Sequence, residues 1–71
     1  MTLLRMAASY RHSGNMIWLR IVALREAARE AEPLERSRLE QRIRELNILY
    51  RDTCATARFL ERYYDRRYHS R

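Results

Sequence analysis

The side chains able to do chemistry in this 71-residue chain are few in kind, and most are guanidinium groups. Fifteen arginines, no lysine and nine acids give a formal net charge of +6. The planar fork of arginine matches carboxylate and phosphate as an ammonium does not, although a GC-rich gene also explains missing lysine. The charge is uneven: residues 1–35 hold five Arg against four Glu, and residues 36–71 hold ten Arg against five acids. An electrostatic partner is therefore expected to meet the second half. There Arg44, Arg51, Arg58, Arg62 and Arg66 recur at spacings of seven, seven, four and four. On a helix they form a ridge about 33 Å long. Arg51 has no acid three or four residues away, and Arg58 and Arg62 share only Glu61 and Asp65. Such a ridge can follow a phosphate backbone. A solvated flank that keeps a small oligomer dispersed has the same composition.

The C-terminal residues 62–71 interleave tyrosines with arginines, Tyr63, Tyr64 and Tyr68 among them. Rings that stack on bases beside guanidinium groups on phosphate suit single-stranded nucleic acid. The same pair of residue types is enriched where proteins meet. No helix-turn-helix, zinc-finger or RNA-binding-domain signature accompanies it. Catalysis has little to stand on. The only thiol is Cys54, and the histidines, His12 and His69, are far from it in sequence. A Cys54–His12 pair is conceivable across two antiparallel helices, but a half-buried structural cysteine is the expected role. There is no phosphate loop, no HExxH and no metal-ligand spacing. The chain is expected to be no enzyme and to take no cofactor or metal.

One Gly and one Pro leave few places for turns, which favours an all-α fold over strands. Positions Leu39, Ile43, Leu46, Tyr50, Thr53, Ala57, Leu60 and Tyr64 follow a four–three spacing with no charge among them. That spacing holds one seam of a helix toward a partner. Leu3, Ala7, Tyr10, Gly14, Ile17, Ile21, Leu24, Ala28 and Ala31 keep the same rhythm. Between the two lies Glu32-Pro33-Leu34-Glu35. The residue before proline is pushed out of the α region, and proline suits the first turn of a second helix. The expected architecture is one helical-hairpin domain over residues 1–71. Its first helix runs from about 2 to 31, the turn covers 32–33, and the second helix runs from about 34 to 68. Antiparallel pairing sets Ala28 against Leu39, Ile21 against Leu46, Gly14 against Thr53 and Leu3 against Tyr64. Ser13-Gly14-Asn15 is the one doubtful stretch. A break there would make a three-helix bundle with residues 2–12 folded separately, but a loop has no reason to conserve phase, so the continuous helix is favoured.

So short a chain is marginal alone, and one cysteine allows no intrachain disulfide. Self-association is the expected supplement, as a homodimer forming a coiled-coil-like four-helix bundle. Met16 to Leu24 is apolar nearly all round, which implies a second partner beyond the hairpin. Trp18, Leu19, Val22, Ile48, Leu49, Phe59 and Tyr63 are the expected oligomer interface. Arg44, Arg51, Arg58, Arg62, Arg66 and Tyr68 are the candidate contacts to nucleic acid. The lone thiol fits a reducing cytoplasm, nothing resembles a signal peptide, and no apolar run is long enough to span a bilayer.

Tyr10-Arg11, Leu19-Arg20-Ile21, Arg42-Ile43-Arg44-Glu45-Leu46, Tyr50-Arg51-Asp52 and Leu60-Glu61-Arg62-Tyr63-Tyr64 resemble small uncharacterised helical-hairpin proteins of gut bacteria and their mobile elements. The resemblance implies an unbroken first helix, from which Ser13-Gly14-Asn15 departs, and it implies no activity. The expected function is a self-associating interaction or scaffold module. The alternative is a small nucleic-acid-binding accessory protein that uses the arginine ridge and tyrosine tail.

Overall fold

The structure, a computed structural model, describes residues 2–68, with side chains from 2 to 63. Two helices, α1 (Leu3–Glu30) and α2 (Pro33–Tyr68), pack against one another as a hairpin about 57 Å long. No strand occurs among the described residues. The α1 helix runs through Ser13-Gly14-Asn15 without interruption. That overturns the three-helix alternative. Phase wins here because a glycine inside a helix costs only about 1 kcal/mol against alanine, less than the loss of a packed layer.

Local chemistry sets each end. Thr2 caps α1: its Oγ1 accepts from the Arg5 amide at 3.1 Å, and its carbonyl accepts from the Met6 amide at 3.0 Å, satisfying donors that a helix start leaves open. At the other end Ala31 is extended, with φ −84° and ψ 151°. The chain crosses over in Ala31 and Glu32 alone, and α2 begins on Pro33, one residue earlier than expected. Proline's missing amide is no loss at a first helical position. Arg36 then reaches back across the turn. Its Nε donates to the Ala28 carbonyl at 3.0 Å and its Nη2 to the Ala31 carbonyl at 3.1 Å. A cation thus closes the negative end of the α1 dipole.

The seam is where burial concentrates. Ala7, Gly14, Ile21, Leu46, Thr53 and Ala57 are buried, and Leu3, Ile17, Leu24, Ala28, Leu39, Ile43, Tyr50 and Leu60 are half-buried. Tyr10 departs from the rule at 39% exposure: a phenol is longer than the seam is wide, and its hydroxyl is best left in water. The Tyr64 side chain, expected opposite Leu3, lies outside the described residues. A Cβ built on Gly14 would stand 3.4 Å from Cys54 Sγ and 3.8 Å from Thr53 Cγ2. The backbone of α1 therefore comes within ordinary van der Waals reach of α2 side chains at the layer where a glycine faces a threonine. Ile21, fully buried, is the largest side chain in the core.

Candidate interaction surfaces

Relative to the seam, α2 presents two flanks and an outer face. One flank is marked by a bridge from α1. Arg11 Nη2 lies 2.9 Å from Glu61 Oε1, and its Nε donates to Oε2 at 3.2 Å. Hydrogen bonding from Arg11 holds the Glu61 carboxyl below its ordinary value against some desolvation, and the same bond raises Arg11. Farther along this flank Trp18 meets Tyr50, with ring centroids 5.6 Å apart, and carries Arg25 over its other side at 5.5 Å. Tyr50 is pushed above its ordinary value, first by hydrogen bonding to Cys54, then by that thiol's charge and by burial, with Arg11 opposing.

The arginine ridge is not straight in this frame. Seven-residue steps keep Arg44, Arg51 and Arg58 on the bridged flank, whereas each four-residue step overshoots a 3.5-residue repeat and turns Arg62 toward the outer face. Glu40 and Arg44, one turn apart on α2, make no ion pair. Arg44 Nη2 donates instead to Gln41 Oε1 at 2.9 Å, while Arg42 pairs with Glu45 at 3.4 Å. Glu61, the acid Arg58 and Arg62 were to share, is taken by Arg11. Arg51, Arg58 and Arg62 make no ion pair among the described residues. The side chains of Arg66 and Tyr68 lie outside the described residues.

The seven residues expected to form one oligomer surface are all exposed but do not share a face. Trp18 and Val22 stand on the bridged flank, with Leu19 on the outside of α1. Leu49, Phe59 and Tyr63 stand on the opposite flank of α2, with Ile48 on its outer face. Trp18 is partly absorbed into the hairpin by Tyr50. Phe59 and Tyr63 stack at 6.5 Å. With Ala55, Arg58 and Arg62 they line a recess of about 600 Å³ on the outside of α2. A smaller recess of about 390 Å³ near the turn is lined by Arg25, Ala28, Arg29, Arg36, Glu40 and Ile43. Its arginines are already engaged: Arg25 on Trp18, Arg29 with Glu26 at 3.3 Å, and Arg36 on the helix end.

His12 is exposed and Cys54 half-buried, and the structure shows no contact joining them. The thiol's neighbours are Tyr50 and the bare Gly14 backbone. No group of three or more His, Cys, Asp or Glu among the described residues is placed to hold a metal ion. No helix among them is long and apolar enough to cross a membrane. The Arg11–Glu61 bridge, the Arg36 clasp and the Trp18–Tyr50 contact were missed from sequence. The first and third had a signal: their α1 members fall on the flanking position next to the seam, which an antiparallel register sets against the same flank of α2. Comparisons with known protein families, with curated proteins and with solved structures found no match to this chain.

Proposed function

We propose that this chain is a non-enzymatic interaction module, a helical hairpin that self-associates into a dimer of four helices in the cytoplasm. One observation carries the reading. Among the described residues eleven large hydrophobic side chains are exposed, against four buried hydrophobic ones. Exposed apolar surface on this scale is covered by a partner in stable proteins.

Light scattering on the purified chain tests it: a dimer mass is expected, and a monomer mass at every concentration ends it. Val22→Glu and Phe59→Glu, made separately, then report which side is covered, because the two residues stand on opposite flanks. The variant on the covered side is expected to give monomers of reduced helicity.

The ridge favours the second reading, a nucleic-acid-binding accessory protein, through Arg51, Arg58 and Arg62, which make no ion pair among the described residues. Titration against DNA and RNA at two salt concentrations separates the readings. Affinity that falls steeply with salt and is lost in Arg51/Arg58/Arg62→Ala supports nucleic acid; salt-insensitive or absent binding removes it.

A further inference from the structure

The buried seam is one of two four–three stripes on α2. Across the outer face and the adjoining edge of the flank away from the bridge, Glu45, Ile48, Asp52, Ala55, Phe59 and Arg62 repeat at steps of three, four, three, four and three. All six are exposed. The stripe has a chemical order: acids toward the turn, an arginine toward the far end, apolar groups between. It also complements its own reversal. The first member matches the sixth, Glu45 with Arg62; the second matches the fifth, Ile48 with Phe59; the third matches the fourth, Asp52 with Ala55. A two-fold interface between identical surfaces requires this self-complementarity.

We infer that the outer face of α2 binds the same face of a second copy, antiparallel, with the two-fold axis level with residues 53 and 54. This rests on the self-association proposed above and names its surface. The recess lined by Ala55, Phe59, Arg62 and Tyr63 receives Ile48 of the second copy, and Glu45 of that copy reaches Arg62. Ala55 is small and lets the two helices approach at the axis. Asp52 of the second copy, arriving over Ala55, lands between the residues one turn either side, Arg51 and Arg58. Its carboxylate makes no ion pair within the hairpin among the described residues. Arg51, Arg58 and Arg62, which make no ion pair among the described residues, thus meet acids across the axis, and the ridge acquires a purpose that needs no phosphate. A parallel arrangement sets Glu45 on Glu45, Asp52 on Asp52 and Arg62 on Arg62, and like charges across an interface oppose pairing. The four helices lie in one layer, α2 against α2 with α1 on either outside, rather than in a square bundle.

Charge reversal on the full chain tests this, with dissociation constants from sedimentation and folding checked by circular dichroism. Glu45→Arg and Arg62→Glu are each expected to weaken the dimer about tenfold or more, and the double variant to restore it to within about threefold. Ala55→Arg leaves an exposed helix position with a good helix former and is expected to yield folded monomers. A monomeric wild-type chain overturns both self-association and this surface, and if Arg62→Glu then weakens nucleic-acid binding, the face belongs to nucleic acid. A wild-type dimer whose charge reversals do not rescue one another, and which tolerates Ala55→Arg, keeps self-association and overturns this surface alone.

Discussion

Leu46, Thr53 and Ala57 of α2 are buried, while Ile48, Ala55 and Phe59, two residues farther on in each case, are exposed. The two sets share one spacing on one helix and differ in what lies between their apolar members. The inner stripe carries no charge. The outer one alternates acids, apolar groups and arginine. A charge carried into an apolar layer must be paired or neutralised, so only the inner stripe can close on α1. The outer stripe can meet water, or a surface that answers its charges. Spacing therefore marks a helix face, and composition decides which kind of surface can cover it.

Matched substitutions on the two sides would break that contrast most sharply. Ile21→Ala, in the fully buried layer opposite Leu46, is expected to cost about 2–5 kcal/mol, measured by urea unfolding. Ile48→Ala is expected to stay within about 0.5 kcal/mol for the isolated hairpin while weakening self-association. Equal losses would show that the two stripes do not differ as described. The glycine layer of the seam offers a finer test. Gly14→Leu is expected to overpack the layer and cost about 1–3 kcal/mol. Gly14→Ala meets only ordinary contacts, the nearest at 3.4 Å, and is expected to raise stability by about 1 kcal/mol through helix propensity. Loss of stability in the alanine variant would mean the layer is tighter than the distances indicate.

The smallest effect lies on the bridged flank. Glu61 is held below its ordinary value in the folded chain, so its contribution is present above the unfolded glutamate value of about 4.3 and fades as pH falls through the folded value. The stability gap between the native chain and Glu61→Gln is expected to close over that acid range, and a gap constant with pH would remove the bridge from the account. Tyr50 runs the other way. Its value is raised, so its contribution holds below the ordinary tyrosine value of about 10 and fades as pH rises through the folded one. Cys54→Ala is expected to weaken that alkaline loss.

The seam, the turn and the continuous first helix were legible because each rests on backbone rules and apolar spacing that act regardless of partner. The phase across Gly14 outweighed the local signal for a break, since glycine weakens a helix without forbidding it. What escaped depends on side chains choosing among neighbours. Glu61 was available to Arg58 and Arg62 along its own helix, yet Arg11 takes it from across the hairpin with two hydrogen bonds. Arg44 likewise prefers Gln41 to Glu40. The heptad positions already set Trp18, Val22, Leu49 and Phe59 on two flanks; which flank a partner covers depends on a second surface that one chain does not contain. The outer stripe was overlooked because its charges disguise its rhythm.

The two-residue crossover at Ala31 and Glu32 has a consequence for how the chain finds its shape. In an antiparallel hairpin the loop closed by a contact grows with its distance from the turn. The Arg36 clasp on Ala28 spans eight residues, while the Arg11–Glu61 bridge spans fifty. Closing the longer loop first costs more chain entropy than extending from the shorter one. Folding is thus expected to zip from the crossover outward, and amide exchange to be slowest around Ile21 and Leu46 and faster toward Leu3. The hairpin is expected to open like a pair of tongs, with its hinge at Ala31 and Glu32.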